Sequence, residues 1–395
     1  MALQVEEVAR YSRQLILPGF GVQAQTKLKH AKVLVIGAGG LGCPSVQYLA
    51  AGGVGHITVV DADSVESSNL ARQILHTDSR VGMNKAASIA AAVSVLNPFV
   101  HVTTEERMLT RTNAVALLAA HDIALDCTDN VMTRYLISDA AVLAGKQVVS
   151  GAAQGYDGQM VVLNKVCGEG VRGPCYRCLF PHAPKPDHTA NCDDGGILGA
   201  VTGLVGTMQA LEAIKLLTGL GEATQPTLTF VSPFSTPQFR AVRVRPRQAK
   251  TCRACGDPAL VPDKIAALDT QDYSTFCGLA RKPQILPPIP RVLPAALQAA
   301  IEERYPLIVD VRPAQHFCIT AVPNSHNIPI EQVRQDAAGA LASINATRIL
   351  VVCRRGNDSQ EAVRLFQSAA PDREFADVIG GLQSYAQFEP TFPMY

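Results

Sequence analysis

A glycine-rich turn directly after a short apolar strand constrains this chain more than any other feature of its sequence. Residues 32–36 (KVLVI) are followed by 37–42 (GAGGLG), which fits the pattern GxGxxG, and then by a segment with helical spacing. A second apolar run, 56–60 (HITVV), ends on Asp61. This order predicts a βαβ unit with a parallel sheet, whose glycines let backbone N–H groups approach a phosphate. Asp61 is placed to accept the ribose hydroxyls, so we predict a nucleotide site.

The choice between NAD and ATP depends on the polar residues elsewhere in the same half of the chain. A dehydrogenase needs a hydride-transfer site and a substrate domain, and the sequence indicates neither. Groups suited to a triphosphate are present instead, at Arg13, Asn69, Arg72, Lys85, Asp129 and Asn130. Each cation alone would also fit a solvated surface position, and Asp129 would also fit the N-cap of a helix predicted over 131–143. Together they favour ATP.

Length and charge limit the architecture and the partners. With 395 residues the chain exceeds what one core usually supports, so at least two domains are expected. Its 35 Lys+Arg and 34 Asp+Glu give a net charge of +1, which argues against binding nucleic acid by bulk charge. We find no signal-peptide pattern and no continuous apolar run that predicts a membrane span. The expectation is a cytosolic protein with no nucleic-acid or membrane partner.

Prolines indicate the domain boundary. Five of them fall within residues 283–294, a composition typical of a linker. We therefore predict a first domain over 1–260, a linker over 261–289 and a second, smaller α/β domain over 290–395. The strands predicted for this second domain lie within residues 306–312, 327–330, 348–353 and 377–381.

Two CxxC pairs predict a metal site. They are Cys175 with Cys178 and Cys252 with Cys255, and each pair can supply two corners of a tetrahedron around Zn²⁺. Four thiolates leave no open coordination position, so we expect a structural zinc. The alternative is two unrelated buried or redox pairs, which the turn residues beside them disfavour.

Cys353 is a candidate nucleophile. It ends the predicted strand at 348–353 and opens a polar loop before a helix, where backbone N–H groups and arginines can stabilise a thiolate or a persulfide. The loop residues are Arg354, Arg355, Gly356, Asn357, Asp358 and Ser359. A cysteine phosphatase needs arginine at the position of Ser359, and Asp358 would repel a phosphate dianion. The loop therefore favours a sulfurtransferase of the rhodanese type.

Larger segments strengthen these interpretations. RYSRQLILPGFG, GAGGLGCP, VDADSVESSNLARQ, VGMNKA, DCTDN, the CxxC pairs and NCDDGG occur in this order within residues 6–256. They resemble the MoeB/ThiF type of ubiquitin-activating-enzyme-like adenylyltransferases. Residues 290–395, with DVR, NIPI, VVCRRGNDSQ and DVIGGL, resemble a rhodanese domain. The fold class implied is α/β, a Rossmann-like adenylation domain with a structural zinc site plus a smaller rhodanese domain.

The resemblance also implies roles for individual residues. Contacts with ATP would come from Gly40, Asp61, Ser68, Asn69, Leu70, Ala71, Arg72, Lys85, Asp129 and Asn130, with Asp129 on Mg²⁺. Arg13 would reach the triphosphate from the partner subunit of a homodimer. Cys192 would take the activated acyl group, unless it is an ordinary loop cysteine. For Cys277 and Cys318 we derive no role, and both are interpreted as packed thiols.

The fusion resembles the eukaryotic adenylyltransferase and sulfurtransferase family. That implies adenylation of the C-terminal glycine of a ubiquitin-like sulfur carrier ending in Gly-Gly, followed by sulfur transfer from a Cys353 persulfide to give a thiocarboxylate. Implied carriers are a ubiquitin-related modifier and the small molybdopterin synthase subunit, which serve tRNA wobble-uridine thiolation, protein conjugation and molybdopterin synthesis. The implied persulfide donor is a cysteine desulfurase or another rhodanese protein.

Two other functions fit part of the sequence. One is an NAD-dependent oxidoreductase with a fused redox domain. The other is a zinc-stabilised scaffold that has kept an inactive nucleotide pocket. The second is disfavoured because Arg13, Lys85, Asp129 and Cys353 are all present.

Overall fold

A computed structural model of the chain describes residues 3–183, 196–221, 225–277 and 288–393. It divides into two compact units, Met1–Ala280 and Arg281–Tyr395. Within the stretch expected to be a linker, the side chains of Ile265, Leu268, Tyr273 and Cys277 pack into the core of the first unit. The finer limits expected from the sequence stay a prediction.

The first unit is built on a mixed sheet whose described strands lie in the order β3-β2-β1-β4-β5-β6-β7-β8. Strands β1 to β5 are parallel, and β6, β7 and β8 continue the sheet in antiparallel fashion. The strands are β1 (Lys32–Ile36), β2 (His56–Val60), β3 (His101–Glu105), β4 (Ile123–Asp126), β5 (Gln147–Gln154), β6 (Asp157–Leu163), β7 (Thr227–Val231) and β8 (Phe239–Arg243).

Helices cover both faces of this sheet. They are α1 (Val5–Leu15), α2 (Gly21–His30), α3 (Gly42–Ala51), α4 (Lys85–Leu96), α5 (Ala114–Ala119), α6 (Val131–Ala144), α7 (Tyr176–Leu179), α8 (Gly199–Thr218) and α9 (Tyr273–Phe276). One core lies between the sheet and α3, α4 and α8, and a second lies against α5 and α6. Four of the five parallel strands are buried over at least half of their length, as strands covered on both faces are.

The strand order places the functional site. β1 pairs with β2 on one side and with β4 on the other. The chain runs outward from β1 through β2 to β3, and then crosses back to β4 on the other side of β1. A crevice forms at the carboxyl ends of the strands where the order reverses in this way. The glycine turn predicted from the sequence follows β1 and opens α3, at that crevice.

Helix α8 is the one described helix that is long and apolar enough to cross a membrane. It packs against α3 and against β5 and β6 of the sheet. A core helix passes the same test of length and composition, so α8 is weak evidence against the expectation that the chain has no membrane span.

The second unit is a parallel sheet with the strand order β11-β10-β12-β13-β9. Its strands are β9 (Arg291–Val292), β10 (Leu307–Asp310), β11 (Ser325–Asn327), β12 (Arg348–Val352) and β13 (Glu374–Val378). Its helices are α10 (Pro294–Glu303), α11 (Ala314–Ile319), α12 (Ile330–Gln335), α13 (Ala337–Ala340), α14 (Asp358–Ala369) and α15 (Gly381–Phe388).

Two strands of the second unit lie earlier in the chain than the sequence predicted. The predicted strand at 327–330 is β11, which ends at Asn327, because Pro329 is the N-cap of helix α12. The predicted strand at 377–381 is β13, which ends at Val378 because Gly380 and Gly381 both adopt positive φ. The chain then turns directly into α15.

The two cysteines interpreted as packed thiols differ in the structure. Cys277 is buried against the second core of the first unit, as expected. Cys318, near the end of the short helix α11, is exposed, so that interpretation was wrong for it. A helix of six residues on the surface of the unit offers it no core.

We expect Gly42→Ala to destabilise the first unit. An added Cβ would lie 2.0 Å from the carbonyl oxygen of Gly37, which is backbone and cannot rotate away. Overpacking of this kind costs about 1–3 kcal/mol. Denaturant unfolding followed by circular dichroism measures the loss. Gly203→Ala is the matched control, because its Cβ meets nothing within 4 Å and lies inside α8, where alanine stabilises a helix by up to about 1 kcal/mol. Equal unfolding midpoints for the two variants would contradict the prediction.

Candidate active sites

A cavity of about 360 Å³ lies at the carboxyl ends of β1, β2 and β4. Its walls include the glycine loop, the end of β2 and the start of α6. Of the residues that the sequence assigned to nucleotide binding, this cavity brings together Gly40, Asp61, Arg72, Lys85, Asp129 and Asn130. The cavity has both a backbone loop able to approach a phosphate and charged groups around it.

The glycine loop is held by backbone contacts. Gly37 has φ of 98°, and a Cβ there would lie 2.7 Å from the carbonyl oxygen of Cys127, the residue after β4. The Asp61 carboxylate accepts hydrogen bonds from the backbone N–H of Ala38 at 2.7 Å and of Asp63 at 2.9 Å. Burial raises the pKa of Asp61, and these two backbone hydrogen bonds oppose the rise. Asp61 therefore orients the loop, and it also lines the cavity.

The cations at the cavity are positioned by neighbouring polar groups. Lys85, buried at the first position of α4, has its Nζ 2.9 Å from the Asp63 carboxylate. Arg72 donates to the carbonyl of Ser68 at 3.0 Å. Two positive groups are thereby presented to the same cavity as the glycine loop, which is the arrangement that a polyphosphate requires.

Asp129 and Asn130 lie at the start of α6. The N-cap of that helix is Asn130, whose side chain accepts a hydrogen bond from the backbone N–H of Thr133 at 3.2 Å. The alternative of Asp129 as the cap therefore does not hold. Asp129 is exposed and lines the cavity, where a carboxylate can bind the Mg²⁺ that accompanies a nucleotide triphosphate.

The remaining predicted nucleotide contacts are not brought to the cavity wall. These are Ser68, Asn69, Leu70 and Ala71, which belong to the 3₁₀ turn Ser67–Asn69 and the residues after it. Arg13 is exposed in the last turn of α1, and its role across a dimer stays a prediction. Cys192 lies outside the described residues.

Arg134, Gln73 and Thr202 also line the cavity, and the sequence reasoning missed them. Arg134 is buried and donates from its guanidinium to the carbonyl of Thr128 at 2.6 Å. It lies one helical turn after Asn130, and that i+4 spacing would have indicated it. The Gln73 side-chain oxygen is buried without a hydrogen-bond partner in the described structure. Thr202 comes from α8, far away in sequence, and gave no local signal.

The four cysteines of the CxxC pairs form one buried cluster. Their sulfur atoms all lie within 4.8 Å of one another. The Sγ–Sγ distances are 3.8 Å for Cys175 and Cys178, 3.5 Å for Cys175 and Cys252, and 3.3 Å for Cys178 and Cys255. Zn–S bonds of about 2.3 Å place the sulfurs of a tetrahedral site about 3.8 Å apart. The alternative of two unrelated pairs does not hold, and the cluster can hold one metal ion.

A buried arginine beside the cluster ties it to α6. Arg177, between the first two cysteines, makes a bidentate ion pair with Asp139 of α6, with three N–O distances of 2.9–3.0 Å. Tyr273 donates to the same carboxylate at 2.9 Å. The Arg177 guanidinium lies 4.4 Å from the ring centroid of Phe276 and 5.1 Å from that of Tyr135. Residues 272–277 are thereby packed onto the helix that forms one wall of the cavity.

Cys353, in the second unit, lies directly after β12 at the mouth of a tight loop. Its sulfur accepts a hydrogen bond from the backbone N–H of Gly356 at 3.1 Å and lies 3.3 Å from the Ser359 hydroxyl. Gly356 has φ of 75°, which turns that N–H toward the sulfur. The carbonyls of Cys353 and Arg354 accept from the backbone of Leu382 and Gln383 at the start of α15. The loop is thus held on a rigid frame, and its backbone can stabilise charge on sulfur.

Two family models match this chain, and they match the two halves in which these sites lie. The ThiF family model matches residues 11–254, and the rhodanese-like domain model matches residues 293–388. The chain belongs to the ThiF family. Its C-terminal part adds a rhodanese-like domain, so both families expected from the sequence are confirmed.

Relatives with the same two-part organisation extend over the whole chain. The adenylyltransferase and sulfurtransferase MOCS3 of Drosophila grimshawi is 44% identical over 403 residues, covering 100% of this chain and 87% of that protein. The protein of the same name from Drosophila sechellia is 42% identical over 400 residues, covering 99% and 85%. The chain is therefore an enzyme of the adenylyltransferase and sulfurtransferase type.

Solved structures agree on the fold of the first part. Escherichia coli MccB aligns with a TM-score of 0.52 and 22% identity, covering 65% of this chain and 74% of its own. PaaA aligns with a TM-score of 0.50 and 20% identity, covering 62% and 75%. At these identities the likeness concerns the fold alone. The predicted α/β fold class is confirmed for both domains by these matches and the observed sheets.

We expect Arg177→Met to destabilise the first unit by about 3–5 kcal/mol, because it leaves the Asp139 carboxylate buried without its counter-charge. Chemical unfolding followed by intrinsic tyrosine fluorescence measures the loss. The matched control is Arg253→Met, since Arg253 also lies inside a CxxC pair but forms an exposed ion pair with Asp263, worth at most about 1 kcal/mol. A loss from Arg177→Met no larger than that of the control would show that the buried pair does not stabilise the unit.

Proposed function

We propose that this chain adenylates the C-terminal glycine of a ubiquitin-like sulfur carrier and then delivers sulfur from a Cys353 persulfide, leaving a C-terminal thiocarboxylate. The observation that carries the proposal is the presence, in one chain, of a glycine-loop cavity with Lys85 and Asp129 and of a separate cysteine loop that donates N–H to sulfur. A free carboxylate cannot accept sulfur without a leaving group. The first site supplies that leaving group, and the second supplies the sulfur.

In the adenylation step the carrier carboxylate attacks the α-phosphate of ATP, and pyrophosphate leaves. Negative charge grows on the α-phosphate and on the departing pyrophosphate. Lys85 and Arg72 at the cavity, with Arg13 from the second subunit of a homodimer, are the groups that we assign to this charge. Asp129 would hold the Mg²⁺ bound to the triphosphate, and the glycine loop would donate its N–H groups.

In the sulfur step the terminal sulfur of the Cys353 persulfide replaces AMP on the activated glycine. An external thiol then attacks the Cys353 sulfur of the acyl disulfide, and the S–S electron pair leaves on the thiocarboxylate sulfur. A second thiol reduces the resulting mixed disulfide and restores the Cys353 thiolate. The backbone N–H of Gly356 lies 3.1 Å from that sulfur and stabilises the thiolate that remains. We assign to Cys192 the handling of the acyl group between the two sites.

The four-cysteine cluster is proposed to hold Zn²⁺. All four candidate ligands are cysteine sulfurs, the set typical of structural zinc, and they lie within 4.8 Å of one another. With four protein ligands the ion has no open position for substrate. Its contribution is to the stability of the segment that carries Arg177.

The proposed partners follow from the chemistry. They are a ubiquitin-like carrier ending in Gly-Gly, either a ubiquitin-related modifier or the small molybdopterin synthase subunit, and a persulfide donor such as a cysteine desulfurase or another rhodanese protein. The thiocarboxylates would serve tRNA wobble-uridine thiolation, conjugation by the modifier, and molybdopterin synthesis. We place the enzyme in the cytosol, because none of the ten cysteines in the described part of the chain forms a disulfide.

We expect about one zinc ion per chain in purified protein, measured by elemental analysis without chelators. Cys175→Ser should lose the ion and unfold at lower temperature, because metal binding contributes directly to folding free energy. Cys167→Ser is the control, since Cys167 is buried but lies outside the cluster. Absence of stoichiometric metal in the unmodified protein would remove zinc from the proposal.

Two variants test the division of labour between the sites. Asp129→Ala should abolish carrier-dependent exchange of pyrophosphate into ATP, because it removes the proposed Mg²⁺ ligand. Cys353→Ala should keep exchange within a few fold while forming no thiocarboxylate, since no group that stabilises adenylation is lost. Mass spectrometry of the carrier reads the product as one oxygen replaced by sulfur. The proposal fails if Asp129→Ala exchanges normally, or if Cys353→Ala still makes thiocarboxylate at the parental rate.

A further inference from the structure

A chain of hydrogen bonds leads from the Cys353 sulfur into the core of the second unit. The sulfur lies 3.3 Å from the Ser359 hydroxyl, and that hydroxyl lies 3.3 Å from Oδ2 of Asp377. Asp377 in turn accepts from Arg291 at 2.8 Å and 3.0 Å. These residues come from the end of β12, from α14, β13 and β9, so four separate elements converge behind one sulfur atom.

Burial protects these hydrogen bonds from water. Ser359 and Asp377 have no exposed surface, so water does not compete for their hydrogen bonds. Asp377 keeps two donors from Arg291 whatever Ser359 does, which holds the carboxylate in place. The serine side chain therefore faces two acceptors in fixed positions, the carboxylate on one side and the sulfur on the other.

A hydroxyl carries a single hydrogen, and that limits what Ser359 can do. When Cys353 is a thiol, its S–H donates to the Ser359 oxygen and Ser359 donates to Asp377, the arrangement in the structure. When Cys353 is a thiolate, its sulfur is only an acceptor. The serine hydrogen can then rotate to the sulfur, where it joins the N–H of Gly356.

We propose that Ser359 is a positioning residue for sulfur transfer, whose one hydroxyl hydrogen alternates between Asp377 and the Cys353 sulfur as the charge on that sulfur changes. The proposal rests on the sulfur-transfer role proposed above for Cys353. Ser359 would act on that sulfur from inside the domain. The buried carboxylate of Asp377 would compete with the sulfur for the hydroxyl hydrogen.

The position of the Ser359 hydrogen depends on the charge that the Cys353 sulfur carries at each step of the reaction. In the persulfide the negative charge lies on the outer sulfur, and the inner Cys353 sulfur is a weak acceptor, so Ser359 donates to Asp377. After the outer sulfur has bonded to the acyl carbon, an external thiol attacks the inner sulfur, and the S–S electron pair leaves on the thiocarboxylate sulfur. A second thiol reduces the mixed disulfide left on Cys353, so that the inner sulfur departs as a thiolate. The serine hydrogen then turns to this new thiolate. Ser359 thus stabilises Cys353 as a leaving group, and equally as the thiolate that is loaded again.

Other charged groups surround the loop and stay the same in the test. They are Arg354, Arg355 and Asp358 of the loop, Glu361 on α14, Asp377 and Arg291 on β13 and β9, and Asp310 and Arg312 at the end of β10. Ser359→Ala changes none of these charges. A shift in the titration of Cys353 in that variant reports the lost hydrogen bond.

The test measures the rate of alkylation of Cys353 by iodoacetamide against pH, read by mass spectrometry of the tryptic peptide 349–354 of the full chain. Ser359→Ala should raise the apparent pKa of Cys353 by about one unit, the size expected for one hydrogen bond to a charged group. Ser368→Ala, on the same helix but bonded only to the carbonyl of Arg364, is the control and should leave the pKa unchanged. Ser359→Thr, which keeps the hydroxyl, should leave the apparent pKa of Cys353 close to that of the unmodified protein.

A second variant tests the competition. Asp377→Asn weakens the acceptor that competes for the serine hydrogen, so the pKa of Cys353 should fall. In the Ser359→Ala background the same change should produce a smaller shift, because part of its effect passes through the hydroxyl. Equal shifts in the two backgrounds, or a pKa unchanged by Ser359→Ala in folded protein, overturn the proposal.

The alkylation assay separates this inference from the proposed function. It needs neither carrier nor persulfide donor, so the hydrogen-bond effect is measured even in a protein that transfers no sulfur. If Ser359→Ala shifts the pKa but Cys353 carries no persulfide, the proposed function fails and the hydrogen-bond arrangement stands. If Cys353 carries persulfide and Ser359→Ala leaves the pKa of Cys353 unchanged, the role proposed for Ser359 fails and the proposed function stands.

Discussion

Close backbone packing under the glycine loop is the constraint on which the first site depends. The loop after β1 lies so near the carbonyl after β4 that only glycine fits at position 37, and position 42 lies as close to the loop itself. Asp61, at the end of the neighbouring strand, is bonded to the same loop. Three strand ends are therefore fixed relative to one another by contacts that leave no room for side chains. The space that remains in front of them is the cavity.

The cysteine cluster supports the opposite wall of that cavity. Helix α6 is capped by Asn130 at the cavity and carries Asp139 further along, where Arg177 and Tyr273 bond to its carboxylate. Because Arg177 lies between two of the clustered cysteines, the position of the helix depends on the cluster. A cluster far in sequence from the residues of the glycine loop thus contributes to the geometry of the cavity through one buried ion pair. This arrangement fits the ThiF family match, because adenylation requires a rigid cavity and the ion pair fixes the position of α6.

Local sequence patterns predicted the features whose residues are neighbours in the sequence. The strand, glycine turn and helix from residue 32 onward, the two CxxC pairs and the cysteine after β12 all carry their signal within a few residues. The antiparallel extension by β6 to β8 and the pairing of β9 with β13 depend on contacts distant in sequence, and they were not foreseen. Thr202 was missed for the same reason, because it lies on α8, which is distant in sequence from the other residues of the cavity. Ser359 was assigned to its loop, but its link to Asp377 appears only once β13 lies beside β12.

The ion pair between Arg291 and Asp377 has a consequence for where the second domain begins. Similarity to rhodanese-like domains starts at residue 293, yet Arg291 already pairs with Asp377 and donates to the carbonyl of Gly356 in the cysteine loop. A fragment cut where the similarity starts would lose Arg291, the counter-ion of the Asp377 carboxylate that lies behind Ser359 and the Cys353 sulfur. Strand β9, which lies before the region of similarity, therefore belongs to the hydrogen-bond network behind Cys353 as well as to the sheet.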